Sequence, residues 1–171
     1  MATNWIGNWQ IDEVGEAERH FLYADAYLSA SEAVSFRMQE EHGAKTWPNA
    51  SVALMLAAHS LELFLKGAIF LREPMAAVGH HRIDELYKRY RALYSDQKFA
   101  FDPPFLTEYA GSSVAEMKAL KQEQPVPSIL YRYPVPRPGE EWNAVLAFTP
   151  DGFLSVLAKL RDDYERFRKA I

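Results

Sequence analysis

Between Val52 and Leu71 the chain runs for twenty residues with only His59, Ser60, Glu62 and Lys66 interrupting an otherwise apolar or small-residue sequence. No other feature limits the fold as strongly. A stretch so apolar on nearly every side forms a helix that must be covered all round, in a membrane or at the centre of a bundle. Charges near the middle of a span cost about 2.5 to 3.5 kcal/mol each on insertion scales, so Glu62 and Lys66 argue against a membrane. The central helix of a water-soluble bundle is the expected solution. Advancing 100° per residue places Ser51, Met55, His59, Glu62 and Lys66 on one narrow polar arc. On another side Ala53, Ser60 and Gly67 recur every seven residues, a seam of small side chains that lets a second helix approach closely. Thr46 or Trp47 should open this helix with Pro48 in its first turn, where a missing N–H does no harm, and Glu73-Pro74 should close it.

Three further segments carry helical periodicity. From Glu16 to Glu41, Ala17, Phe21, Ala24, Leu28, Ser31, Val34, Ser35 and Met38 share one face, and His42-Gly43 offers a left-handed stop. A shorter helix is expected over His81 to Ser95, with Ile83, Leu86, Tyr87, Tyr90 and Tyr94 inside. The last should begin at Thr149-Pro150-Asp151, where an N-cap, a first-turn proline and an acid coincide. There Phe153, Leu157, Leu160, Tyr164, Phe167 and Ile171 repeat at helical spacing, and Arg161–Glu165, Asp162–Arg166 and Glu165–Lys169 should pair on the outside. A weaker helical stretch spans Phe105 to Gln122. Residues 125 to 141 hold five of the ten prolines, so an extended loop is expected there, with Ile129–Tyr133 and Ala144–Phe148 pairing as a short hairpin. The expectation is a single all-α domain over residues 1–171, an up-and-down bundle of four to five helices with a Pro-rich loop before the last.

Composition narrows function by exclusion. A chain of 171 residues without cysteine has no disulfide framework, thiolate zinc site or cysteine nucleophile. A net charge of -4 supplies no general attraction to nucleic acid or an anionic bilayer. The first residues lack the basic stretch and apolar run of a signal peptide, so a cytoplasmic setting is expected. No glycine-rich phosphate loop, nucleophile elbow or H-E-x-x-H pattern occurs.

Three groups of residues remain as candidates. His59, Glu62 and Lys66 could wall a ligand groove, His59 or Glu62 moving protons and Lys66 meeting an anion; equally, they could satisfy one another as a buried network. His80, His81 and Arg82 precede a helix N-terminus, which favours anions. Adjacent histidines point differently, so a metal site would need the loop to fold back and bring His80 onto His59 and Glu62. No metal and no cofactor is expected. Arg82, Lys88, Arg89 and Arg91, interleaved with tyrosines, could meet RNA by phosphate contact and stacking. Asp84, Glu85 and Asp96 dilute that charge, and a solvated helix surface is favoured. Asp162, Asp163 and Glu165, flanked by arginines, read as surface charge.

The run Ala57-Ala58-His59-Ser60-Leu61-Glu62-Leu63-Phe64-Leu65-Lys66-Gly67-Ala68, followed by Gly79-His80-His81-Arg82-Ile83-Asp84-Glu85-Leu86, resembles the HEPN superfamily of helical bundles. There a helix of the form A-x-x-L-E-L-x-L-K precedes a short loop and G-H-x-[IL]-x-x-L. Tyr131-Arg132-Tyr133-Pro134 is similar to the R-Y-P before the final helix of some bacterial members. The specific match covers about thirty residues. The resemblance implies a helical bundle, commonly a homodimer, in a family of metal-independent ribonucleases and toxin components paired with nucleotidyltransferase-like antitoxins. The family's nuclease motif is an arginine, four to six residues, then a histidine. Arg37 and His42 match that spacing, at the end of the first helix rather than at the family's usual place; Arg72 and His80 stand one residue beyond it. The expected function is therefore a non-catalytic binding or accessory module. Its polar stripe and Pro-rich loop would recognise a protein partner or a nucleotide-bearing ligand, with a dimeric ribonuclease as the alternative.

Overall fold

A computed structural model describes residues 7–106, 113–116, 127–132 and 148–171. The described elements are all helical: α1 (Trp9–Asp12), α2 (Glu16–Glu40), α3 (Trp47–Arg72), α4 (Ile83–Leu93), α5 (Pro127–Leu130) and α6 (Pro150–Ala170), with 3-10 turns at His42–Ala44 and Gln97–Phe99. No strand occurs among the described residues.

α2 and α3 form the backbone of the bundle, and the small-residue seam joins them. Ser31 Oγ on α2 donates to the carbonyl of Ala53 at 2.8 Å, and Ser60 Oγ on α3 donates to the carbonyl of Ala24 at 2.7 Å. Each helix thus offers a hydroxyl to the other's backbone. At Gly67 the approach is closest: a Cβ there would stand 2.9 Å from the Phe21 ring and 3.0 Å from the Ala17 carbonyl. Glycine is required at that position by space, not by dihedral angle.

α6 closes the bundle over the α2–α3 pair. Phe153, Leu157, Leu160, Tyr164 and Phe167 are all buried, as their spacing predicts, whereas Ile171, the last of that row, is exposed beyond the helix end. Tyr164 stacks on Phe64 of α3 with ring centroids 3.9 Å apart, and its hydroxyl lies 3.2 Å from Ser60 Oγ. α4 packs on the other flank of α3, where the buried Tyr94 donates to the Ala68 carbonyl at 2.8 Å. Of the described helices, α3 is long and apolar enough to cross a membrane, yet 61% of its most apolar window is buried inside the protein.

Several expectations are corrected. Gly43 does not adopt a left-handed stop; it lies in the His42–Ala44 3-10 turn, which unwinds α2 without positive φ. Helix α4 starts two residues late, His81 being drawn off the helix to a partner on α3, and it ends two residues early. Thr149 occupies the N-cap position of α6, but its side chain makes no capping hydrogen bond. Arg161 pairs not with Glu165 but across to Glu32 of α2, through two contacts of 2.9 and 2.6 Å, and Arg166 turns to Asp163. Glu165–Lys169 does pair, at 3.3 Å. The expected helix from Phe105 cannot begin there, since Phe105 has a φ of 67°. Residues 114–116 are helical, and residues 107–112 and 117–122 of that stretch lie outside the described residues. Within the Pro-rich segment Pro127–Leu130 is a helical turn, not an extended strand; proline at the first position of a turn sacrifices no hydrogen bond. It docks on α3, where Ser51 Oγ donates to the Tyr131 carbonyl at 2.9 Å. The proposed hairpin partners at Tyr133 and 144–147, and the prolines at 125, 134, 136 and 138, lie outside the described residues.

Candidate functional site

The polar arc of α3 is buried on one edge, and its centre is Glu62, 2% exposed. An ionised carboxylate only accepts hydrogen bonds, so its neighbours must donate. Lys66 Nζ, one turn along the helix, donates to Oε1 at 2.8 Å, and His81 Nδ1 reaches the same oxygen at 2.9 Å. His59 Nδ1 stands 3.8 Å from Oε2. That distance is an ion-pair contact beyond hydrogen-bond range, so Lys66 and His81 hold the carboxylate and His59 flanks it. Burial by itself pushes the Glu62 carboxyl up. The contacts from His59, Lys66 and His81, together with the Lys66 charge, overcome burial and bring it down to about 2. The group is therefore a permanent anion at neutral pH. His81 must carry its proton on Nδ1, which fixes its tautomer.

The rest of the polar loop is strapped in place from behind. Glu73 accepts from Arg89 Nε at 2.9 Å and from Nη2 at 2.5 Å, while Arg89 Nη1 reaches the carbonyl of Ala77. Val78 is buried. These anchors turn the 73–82 loop back over α3 and deliver His81 to Glu62. Loop return was the condition for a metal cluster, but the histidine that arrives is His81, not His80. His80 Nδ1 instead lies 3.9 Å from Glu85. Among the described residues no three His, Cys, Asp or Glu side chains are placed to hold a metal ion.

The anion site anticipated before α4 is already filled by the helix's own first turn. Arg82 Nε lies 3.6 Å from Asp84 and 3.3 Å from Glu85, the two acids in that turn. Of the six ligand candidates, the structure gathers His59, Lys66 and His81 on Glu62 and sends His80 and Arg82 to the α4 acids.

The nuclease candidates stand elsewhere and apart. Arg37 and His42 are both exposed at the end of α2, and Arg37 Nε pairs with Glu41 at 3.0 Å. Arg72 sits over the Tyr94 ring at 5.2 Å, whereas His80 is with Glu85. The tyrosines of α4 point inward: Tyr90 and Tyr94 are buried, and Tyr87 donates to the Phe101 carbonyl. Buried in this way, Tyr90 and Tyr94 offer no face to a stacking base. Arg89 and Arg91 are likewise engaged, Arg91 with the carbonyls of Tyr94, Ser95 and Asp96. A cleft of about 200 Å³ lies beside Asp102, Lys159 and Asp163, away from every candidate residue.

Sequence reasoning missed the third partner of Glu62. His81 is nineteen residues away, and the signal that brings it back, the Glu73–Arg89 strap, is two ordinary surface-type residues with no periodic mark. Compared with protein-family models, curated proteins and solved structures, the chain matches none of them.

Proposed function

We propose that the chain is a non-catalytic recognition module of the HEPN-like kind, acting in the cytoplasm by binding a protein partner, in a toxin–antitoxin or defence setting. One observation carries this reading: Glu62 and Lys66, the charged pair of the polar arc, are buried and consumed by internal contacts. Glu62 accepts from Lys66 and from His81 through a single oxygen, so neither the carboxylate nor the ammonium is disposed toward an external substrate. Arg37 is engaged by Glu41 on an exposed helix end, far less protected from water than a base and nucleophile require.

The test is degradation of single-stranded RNA by the purified full chain in EDTA, compared with an Arg37→Ala, His42→Ala double variant. Equal, background-level rates are expected. A wild-type rate clearly above the double variant makes the protein a metal-independent ribonuclease instead.

A further inference from the structure

The five histidines of the chain differ in what stands behind the ring. His20 turns Nδ1 to a neutral acceptor, the Glu16 carbonyl, at 2.8 Å. His42 is exposed, and its ring meets no carboxylate among the described residues. His59 and His80 face carboxylates at 3.8 and 3.9 Å, beyond hydrogen-bond range. Among the described residues His81 alone has a carboxylate within that range, Glu62 Oε1 at 2.9 Å from Nδ1. The pair is lopsided: the Glu62 side chain is 3% exposed and the His81 side chain 58%. Nδ1 therefore faces inward, and the far edge of the ring, with Nε2, faces solvent. Glu62 accepts the proton on Nδ1, so the neutral imidazole keeps its lone pair on Nε2.

We propose that His81 Nε2 is a nucleophile that accepts a phosphoryl group from a small N-phosphoryl donor, with Glu62 as the positioning residue behind it. Attack through Nε2 leaves a ring that still carries its Nδ1 proton and so becomes positively charged. A buried anion 2.9 Å from Nδ1 stabilises that cation as it forms, in surroundings where the interaction is stronger than in water. The carboxylate needs no reorganisation, because Lys66 already holds it at 2.8 Å. Lys66 also balances its charge, so an incoming anion meets a neutral pair rather than a bare carboxylate. A phosphoryl group suits such a ring better than an acyl group. An acyl group on a cationic imidazole is readily lost to water, whereas the negative charge of a phosphoryl group offsets that of the ring. With the phosphoramidate monoanion as donor, the bond from Nε2 to phosphorus forms and the donor's P–N bond breaks. Ammonia leaves with that electron pair, and no proton moves, since the donor nitrogen already carries three. The proposal goes beyond the recognition reading and does not depend on it: accepting a group asks for no chemistry on RNA.

The test is incubation of the full chain with potassium phosphoramidate near neutral pH, the modified positions being read by phosphorus NMR and by mass spectrometry of peptides kept alkaline. His81 should be phosphorylated at least about tenfold faster than His42, the exposed histidine in the same molecule that has no carboxylate behind it. His81→Gln should abolish the fast phase and His80→Gln should leave it, which separates the two neighbours. Glu62→Gln keeps an acceptor for the Nδ1 proton but removes the charge. With its far-UV helical signal retained, the rate at His81 should fall toward that at His42, and His42 itself should not change. Equal rates at His81 and His42 in the wild type overturn the proposal, as does a fast phase that survives His81→Gln or the absence of phosphate on His81. An unchanged His81 rate in folded Glu62→Gln overturns it too. If that variant does not fold, the wild-type ratio and the two histidine variants decide alone. None of these outcomes bears on the RNA assay, so the nucleophile and the non-catalytic reading fail separately.

Discussion

The two sides of α3 solve the same problem with different materials. Toward α2, the buried hydroxyls of Ser31 and Ser60 are satisfied by backbone carbonyls, at 2.8 and 2.7 Å. Toward the 73–82 loop, the buried carboxylate of Glu62 is satisfied by side chains, Lys66 on its own helix and His81 from the loop. Carbonyls come fixed wherever a helix forms, so the first arrangement needs only small residues at the right period. Side-chain partners have to be delivered, and delivery depends on how a loop is anchored. The stakes differ as well. A neutral hydrogen bond contributes about 1 kcal/mol net, whereas a buried charge stripped of its partner costs several.

The largest expected effect is on the charged side. Glu62→Leu leaves Lys66, 8% exposed, without its counter-ion and should destabilise the fold by about 3 to 5 kcal/mol in chemical denaturation. A loss below about 1 kcal/mol would mean that the two sides of α3 are equivalent after all.

Acid sharpens the same contrast. The folded pKa of Glu62 is depressed from 4.5 to about 2, so its stabilisation is complete above the unfolded value and is lost as pH falls from 4.5 toward 2. With the side chain 3% exposed, solvent screening is slight, and the span corresponds to roughly 3 kcal/mol. The stability difference between wild type and Glu62→Gln should shrink by about that amount between pH 5 and pH 2. A constant difference would show that Glu62 contributes by packing rather than as an anion.

On the seam, Ser60→Ala removes the bond to the Ala24 carbonyl and the contact with the buried Tyr164 hydroxyl, and should cost about 1 to 2 kcal/mol. Gly67→Ala should fall in the same range. Alanine gains about 1 kcal/mol of helix propensity, but its methyl would press on the Phe21 ring and on a backbone carbonyl that cannot rotate away. A Gly67→Ala protein more stable than wild type would show that the seam has slack.

This division also explains what could be read from the residues alone. The seven-residue recurrence of Ala53, Ser60 and Gly67 marked the α2–α3 contact because close approach leaves a size signature in sequence. Phe153 to Phe167 marked the buried stripe of α6 through period alone. Glu62–Lys66 was legible because four residues of helix fix the geometry. His81 was not, since its arrival depends on Glu73 meeting Arg89 and Val78 being buried, and loop return has no period. Arg161 was assigned to Glu165 by the same four-residue rule and went instead to Glu32. A local rule ranks local partners; a bidentate carboxylate on a neighbouring helix outbids them when the helices lie close. The helical turn at Pro127–Leu130 was masked by its prolines, whose count argues for loop even where one proline starts a turn.

The smallest effect is expected where a charge pair has neither a buried side chain nor a tertiary partner. Arg37 and Glu41 lie one turn apart at the end of α2, with side chains 65% and 59% exposed. An exposed pair at that spacing is worth about 0.3 to 0.5 kcal/mol, reduced further by salt. Glu41 also occupies the C-cap of α2, where the last carbonyls present negative charge and an acid is repelled. The two contributions are opposite in sign and similar in size. Glu41→Gln should therefore leave stability within about 0.5 kcal/mol of wild type in chemical denaturation, with any deficit fading at high salt. A loss approaching that of Ser60→Ala would place Arg37 in a role beyond the helix end, and Arg37→Ala would then be the variant to compare.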